Sequence, residues 1–545
     1  MKCRLPISGA ILALTLVSYF QFPGHTYLQS DTQIYAPILE HFWDNRVLQR
    51  EMLVQHPHVS FTLYDETALA LRRFAGLSFE HGLTLVQLVT RALGIFGFYL
   101  LATALGLPMW QALFVTAALS LGATIGGPSV LIFEYEPVPR GFAIPLVYAA
   151  AGLAAHNRHA LAGLAASAAL LFHPPSVYPF WAVYFLLLLW PAKPDVMRRR
   201  LYALVPLLGA VVVLLAASRM QEGPAEAQRF LATLDPLQEK LQRLRASYVW
   251  VSVWGPNWAA HYILLWLISL LALWRQRATV SHELRLFLLG LPAIGLLSMP
   301  VSLLLLERWK WAFIPQFQPL RAVLFITVVA ALLAAVAGVK AAARGGYFEG
   351  IAWFLLAYLI PVQARLTQTP PARRLLVALA LASLAVLAVL VQARFKRNGA
   401  LAAAALAAFF VFPGIGQVRN YPSLETPALQ QLSLWARDAT RADAMFLFPK
   451  SDRSLDPGIF RARSLRAVYV DWKGGGQVNY IRELGEEWWA RWGQSMETPL
   501  EPQQYAGLGI DYLVTPRDKP LDGASQVYGN DVYLVYRVTP AARPE

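Results

Sequence analysis

Apolar positions in this chain come in long runs separated by short polar breaks. A first run extends from Leu5 to Phe22, and others fall near 89–107, 110–126, 141–155, 160–173, 176–192 and 201–217. Six more follow near 258–274, 286–306, 320–339, 350–364, 375–393 and 399–415. Apolar runs of about 17–20 residues are long enough to cross a bilayer as helices, so the pattern predicts about 13 spans. Several runs are short, and 107–110 reads as a tight turn.

Two regions depart from this pattern. In the stretch 23–88, Ser30-Asp31-Thr32-Gln33 has the form of a capping box. Ile34, Ile38, Leu39 and Phe42 follow at helical spacing, which predicts an amphipathic helix lying on the membrane surface. Beyond residue 422 the pattern becomes that of a small α/β domain. It predicts a helix over Leu429–Ala439 and strands at 444–448, 467–470 and 512–514. Residues 526–528 and 532–538, joined through Gly529-Asn530-Asp531, predict a hairpin. The expected organisation is a transmembrane body, 1–422, with a long first outer loop at 23–88, and a C-terminal α/β domain at 423–545.

Composition supports the membrane reading. Of 545 residues, 57% are hydrophobic and 15% charged, against roughly 25% charged in ordinary soluble domains, and the mean hydropathy is +0.43. One cysteine, Cys3, excludes an internal disulfide framework. The net charge of +14 is unevenly distributed, with +16 in residues 1–422 and −2 in 423–545. Basic loops between apolar runs signal topology and give no indication of nucleic acid as a partner.

No small residues suited to cleavage follow the first run, where Ser18-Tyr19-Phe20-Gln21 is bulky. It is therefore expected to remain as a span with a cytoplasmic N-terminus. Alternating sides from there puts Arg158, Lys193/Arg198/Arg199/Arg200, Arg275/Arg277/Arg285, Lys340/Arg344 and Arg394/Lys396/Arg397 inside, as the positive-inside rule requires. Arg365, Arg373 and Arg374 break the rule. Thirteen spans place the C-terminal domain outside the cytoplasm, and Trp254, Trp258, Trp309 and Trp311 flank outer span ends.

The acids are the more informative charges. Of 17 in residues 1–422, all but Asp195, Glu283 and Glu349 fall on the outer side, and seven occupy the first outer loop. Asp31 has two readings, a capping or first-turn acid favoured by the helix dipole or a functional carboxylate. Glu134 and Glu136 could together hold a divalent cation such as Mg or Mn, or could pair with Arg140. Arg140 and Arg321 suit phosphate binding, although Arg321 could equally extend to lipid headgroups. His173-Pro174-Pro175 reads first as a helix break, with lining of a site as the alternative. Residues 218–257, with Glu222, Glu226, Asp235, Glu239, Lys240, Arg243 and Arg245, read as a solvated amphipathic helix. Gly474-Gly475-Gly476 lacks phosphate-loop spacing and reads as a mobile loop.

These features resemble the C-type (GT-C) clan of polytopic membrane glycosyltransferases, and most closely an uncharacterised bacterial group of that topology. Asp31 matches the clan's acid after the first span, and Glu134/Glu136 match the position of its second acidic motif. Glu134 to Arg140, His173-Pro174-Pro175, Gln318-Pro319-Leu320-Arg321 and Val468-Tyr469-Val470-Asp471-Trp472-Lys473 carry the resemblance to the bacterial group. The chain departs from the clan in two respects. Trp488-Trp489 is followed by Ala490, so the oligosaccharyltransferase signature is absent, and the adjacent acid pair is displaced to Asp65-Glu66.

The resemblance implies an inverting transferase in a bacterial inner membrane. It would move a sugar from a polyprenyl-phosphate donor to a glycan, lipid or protein acceptor on the outer face. Asp31 would be the catalytic base, Asp65 and Glu66 secondary acids, Glu134 and Glu136 metal ligands, Arg140 and Arg321 phosphate clamps, and His173 a site-lining residue. The C-terminal domain shows no nucleophile–base set, so acceptor binding or support is expected of it. A transporter of lipid-linked substrate and a non-catalytic assembly protein are the alternatives. A transporter would be expected to carry repeats and mid-membrane acids.

Overall fold

The structure is a computed structural model. It describes residues 4–57, 62–128, 130–220, 231–360, 370–417, 421, 424–477, 481–497 and 502–538. Each predicted apolar run coincides with a helix. The first are α1 (Arg4–Phe20), then α2 (Thr32–Trp43), α3 (Met52–Gln55) and α4 (Tyr64–Ala75) in the outer loop. The body continues with α5 (Phe79–Ala104), α6 (Met109–Ser120), α7 (Pro139–Ala155), α8 (His159–Phe172), α9 (Pro174–Leu189), α10 (Pro194–Leu201) and α11 (Leu204–Met220). After α12 (Pro236–Arg245) come α13 (Pro256–Gln276), α14 (His282–Ser302), α15 (Ile314–Phe317), α16 (Leu324–Ala343), α17 (Tyr347–Leu359), α18 (Pro371–Phe395) and α19 (Asn398–Gly414). Among the described residues, six helices are long and apolar enough to cross a membrane, and six shorter apolar helices accompany them. The protein is a multi-pass helical membrane protein.

The all-apolar sequence of α16 is explained by its position, since its most hydrophobic stretch is 100% buried among the other helices. A helix apolar on every side needs such a place. Small residues bring other helices into backbone contact. A Cβ on Gly97 of α5 would lie 2.4 Å from backbone atoms of Tyr148 and Ala149 in α7, the close approach that small residues permit in membranes.

Contacts sort the loops onto two ends. Arg200 pairs with Glu283 at 2.7 Å, Arg275 with Glu349 at 3.0 Å, and Lys340 donates to the Leu105 carbonyl at 2.7 Å. All of these belong to the side expected to be basic. Arg365, Glu222 and Glu226 lie outside the described residues. At the other end, Arg91 of α5 donates to the carbonyls of Ser18 (3.0 Å), Gly24 (3.2 Å) and Glu134 (2.7 Å), fixing the start of the outer loop against the second acidic motif.

The C-terminal domain has helices α20 (Pro427–Ala439), α21 (Asp456–Ser464), α22 (Arg482–Met496) and α23 (Pro502–Gly507). With β1 (Thr124–Ile125) and β2 (Val130–Leu131) paired in the body, its strands are β3 (Met445–Leu447), β4 (Ala467–Val468), β5 (Tyr512–Pro516), β6 (Ser525–Gly529) and β7 (Tyr533–Arg537). The sheet order is β4-β3-β5-β7-β6, with β3 parallel to β4 and β5, and β7 antiparallel to β5 and β6. The predicted helix, strands and hairpin are all present.

Alternate residues of β3 point to opposite faces, as a pleated strand requires. Met445 and Leu447 pack with Leu484, Trp488 and Leu513, while Phe446 packs with Leu429, Leu432, Phe460 and Val535. Neither face is completed by the domain alone. Met52 and Leu241 join the first core, and Leu28 and Ala36 join the second.

This arrangement overturns the expectation of a surface-lying outer-loop helix. Ile34, Ile38 and Leu39 of α2 are buried, and Ala36 packs into the core of the C-terminal domain. Phe42, the last of the four, is exposed, but the rest of the apolar stripe faces protein. Likewise α12 is not a solvated face. Leu241 is buried, Lys240 lies over Trp489 and Arg245 over Trp472. The glycine triplet is not a mobile loop either, because Gly474–Gln477 forms a 3-10 turn with Gly475 buried. A Cβ on Gly475 would lie 2.4 Å from the Trp488 ring and 2.8 Å from Arg245.

Candidate functional site

The site forms where the turn before α2, the loop before α7 and the loop after β4 meet. Arg140, in the first turn of α7, reaches two carboxylates at once. Its Nη1 donates to Asp31 at 2.8 Å, and its Nε donates to Glu134 at 2.8 Å. Lys473 arrives from the C-terminal domain, 442 positions away in sequence, and its ammonium donates to the other Asp31 oxygen at 2.8 Å and to the Ser30 hydroxyl at 2.7 Å. Asp31 therefore lies between two cations held by different parts of the protein. Burial alone would raise its pKa, but Lys473 and then Arg140 outweigh burial and hold the carboxyl well below the usual range.

Asp31 does not cap α2. It stands at the N-cap position without a side-chain cap bond. The capping is performed by Glu136, whose carboxylate accepts from the backbone N–H groups of Gln29 and Ser30 at 2.7 Å each and from the Thr32 hydroxyl at 2.7 Å. Its other oxygen accepts from the Thr32 N–H at 3.4 Å, so a carboxylate from another loop reaches one orphan donor of this helix start. Burial, and then the field of Asp31, raise the Glu136 pKa.

The two acids of the E-x-E motif therefore have separate tasks, Glu134 binding Arg140 and Glu136 closing the α2 turn. With both committed in this way, the pair does not present two open carboxylates to a divalent cation. Among the described residues no three His, Cys, Asp or Glu side chains group as metal ligands.

Lys473 is itself held in place. Asp471 accepts from the Lys473 N–H at 3.0 Å, the Gly474 N–H at 3.2 Å and the Arg461 guanidinium at 2.6 Å. Arg461 also meets Glu51 at 3.5 Å and donates to the Gln33 carbonyl at 3.0 Å. Glu51 accepts from the Val468 N–H of β4 at 2.9 Å. Arg461, Glu51 and Asp471 are almost completely buried, a dry ion-paired junction between the outer loop and the C-terminal domain. Arg245 adds a cation to the same region. It donates to the Trp472 carbonyl and stacks 3.7 Å from the Trp472 ring, and burial pulls its pKa down to about 10.

The remaining sequence candidates stand around this centre. Asp65, in the first turn of α4, is buried, and neither carboxylate oxygen has a hydrogen-bond partner among the described residues. Burial, with a contribution from Glu66, pushes its pKa up to about 8. Tyr35 lies within electrostatic reach of Asp31, Arg140 and Asp65. Glu66 is exposed. Arg321 is buried; it donates to the Pro128 carbonyl at 2.8 Å and the Gln318 amide oxygen at 2.8 Å, with Tyr248 beneath it. His173 separates α8 from α9 and its Nδ1 lies 2.9 Å from the Ser176 hydroxyl.

Sequence reasoning grouped Asp31, Glu134 and Arg140 and missed the parts played by Lys473, Arg245 and the Arg461 junction. The one available signal was the stretch Val468 to Lys473, which was distinctive without having a role.

Residues 427–494, which carry Arg461, Asp471 and Lys473, match the model of a family described as a domain of unknown function, DUF6798. No curated protein matches the chain. Among solved structures, the chain is similar to ArnT from Cupriavidus metallidurans in the apo state, with 14% identity, 99% of each chain covered and a TM-score of 0.48. It is also similar to an oligosaccharyltransferase of Archaeoglobus fulgidus tethered with an acceptor peptide, with 11% identity, 94% of this chain and 69% of that one covered, and a TM-score of 0.41. A third similarity is to the arabinofuranosyltransferase AftD from Mycobacteria, with 14% identity, 98% and 41% covered, and a TM-score of 0.43.

Proposed function

We propose that the protein is a membrane glycosyltransferase that moves a sugar from a polyprenyl-phosphate donor to an acceptor on the outer face of a bacterial inner membrane. In this reading the N-terminus is cytoplasmic and the C-terminal domain extracytoplasmic. The observation that carries it is the carboxylate of Asp31 held between Arg140 and Lys473. A base and two phosphate-binding cations share one point at the end of the helical body.

The chemistry follows from that geometry. The donor phosphate draws Arg140 and Lys473 towards itself, since charge-assisted bonds to phosphate oxygens are strong. Asp31 loses the two partners that depress its pKa and becomes a better base. The acceptor O–H then attacks the anomeric carbon from the face opposite the phosphate, and its proton passes to Asp31. The bond from that carbon to the phosphate oxygen breaks, and the electron pair leaves with polyprenyl phosphate, whose charge the two cations stabilise.

The test is transfer from a radiolabelled polyprenyl-phosphate sugar in membranes. Asp31→Asn is expected to lower the rate by about 10²–10⁴-fold, the usual worth of a positioned base. Lys473→Met should weaken donor binding while the melting profile stays that of wild type. Full activity in a folded Asp31→Asn protein overturns the reading.

A further inference from the structure

A groove of about 500 Å³ opens on the outer face between the end of α2, α4 and the C-terminal domain, well away from Asp31. Its lining includes Trp43, Arg46, Arg72, Arg437 and Arg466. Two carboxylates face the four guanidiniums. Glu40 pairs with Arg72 at 2.8 Å and Asp44 with Arg46 at 2.9 Å. Among the described residues, neither Arg437 nor Arg466 has a carboxylate within ion-pair distance.

Arg466 is buried, and its donors are taken by hydroxyl and carbonyl oxygens, including Thr440 Oγ1 at 3.1 Å and the Thr440 carbonyl at 2.8 Å. Those partners fix its position, and the carboxylates of Asp438 and Asp443 act on its charge only from beyond ion-pair distance. Arg437 is exposed, and it also lines an adjoining cavity of about 410 Å³ together with Arg463 and Glu425. The two cavities meet at Arg437 and form one depression, whose lining carries five guanidiniums against the carboxylates of Glu40, Asp44 and Glu425.

The depression also has an aromatic wall. Trp43 is 45% exposed, and one side of its ring packs on the Arg72 guanidinium at 4.8 Å. An exposed indole is a platform for the apolar face of a sugar ring, and guanidiniums match carboxylate or phosphate groups bidentately. A volume of several hundred Å³ is that of a small-molecule site.

Asp31 precedes α2 and Trp43 ends it, so a rise of 1.5 Å per residue sets the groove about 18 Å from Asp31.

We propose that this groove binds an anionic glycan, a polymer bearing carboxylate or phosphate groups, and serves as a holding site for the acceptor. The acceptor role rests on the function proposed above, whereas binding is measured without transfer. Loss of activity in Asp31→Asn and loss of binding in the groove can therefore succeed or fail separately.

The experiment uses the full chain in detergent with three probes, which are a fluorescent oligogalacturonate, an uncharged oligosaccharide of the same length, and phosphatidylglycerol vesicles. The oligogalacturonate should bind, and its Kd should rise at least tenfold in Arg437→Gln and again in Trp43→Ala, while Asp31→Asn binds as wild type. The neutral oligosaccharide should not bind, and vesicle association should be equal in all variants. Equal binding of charged and neutral oligosaccharides, unchanged Kd in both groove variants, or loss of vesicle association in those variants instead would overturn the proposal. Both substituted side chains are exposed, so melting profiles should match wild type.

Discussion

Helix α16 and the junction around Arg461 are both dry, for opposite reasons. Along Leu324–Val339 nearly every side chain is an aliphatic or small residue packed on all sides, and the helix satisfies its own backbone. At the junction, Arg461, Glu51 and Asp471 are equally buried but ionisable, and each has a partner of opposite sign. Apolar burial tolerates exchange between similar shapes, whereas paired charge does not tolerate losing one partner. The body is thus held by bulk properties of its sequence, and the docking of the C-terminal domain by a few specific residues.

The most severe test of that contrast is Arg461→Ala. Removing one partner of a buried ion pair costs about 3–5 kcal/mol, because the other charge is left without compensation. Limited proteolysis should then cut near the start of the C-terminal domain in the variant and spare wild type. Equal protection would show that the apolar contacts of Leu28, Ala36, Met52 and Leu241 suffice for docking. A smaller effect is expected in the body. Gly97→Ala forces α5 and α7 apart, and overpacking of this kind costs about 1–3 kcal/mol. The thermal melt of the purified protein should fall while proteolysis of the C-terminal domain is unchanged.

Asp65 supplies the smallest effect, a change of slope. It breaks the rule of the junction, being buried with no hydrogen-bond partner among the described residues. Its folded pKa, about 8, lies above the ordinary 3.8, so between those values the folded state keeps a proton that the unfolded state has released. Stability from this group therefore falls as pH rises from about 4 to 8 and levels off above. Asp65→Asn removes that titration. Its melting temperature should gain on wild type as pH rises through this window, and parallel curves for the two proteins would show that Asp65 titrates normally.

How much was legible depended on the range of the interaction. The helices of the body were visible because each run had to be apolar over its own length, a local condition. The strands of the C-terminal domain were visible because alternation is local too. The stripe Ile34, Ile38 and Leu39 was read correctly as apolar and wrongly as membrane-facing, since periodicity records that a face is covered and not by what. Asp31 seemed suited to cap α2 because it stands at the right offset. The cap is supplied by Glu136, more than 100 positions away, which no spacing rule could reach. Arg245 sat in a stretch whose charge count resembled a solvated helix, and only the meeting of α12 with Trp472 gives it a different setting.

The sequence alone determined a basic, apolar body of helices followed by a near-neutral α/β domain, with acids gathered at one end and Asp31, Glu134 and Arg140 as the residues to examine there. Hydropathy, charge and strand alternation act over a few residues, so they can be read from order alone. Tertiary structure decided which acid caps a helix, which acid meets two cations, and that one of those cations, Lys473, comes from the far end of the chain. Such choices depend on side chains brought within about 3 Å of each other from distant segments, and that proximity exists only once the helices have packed and the C-terminal domain has docked.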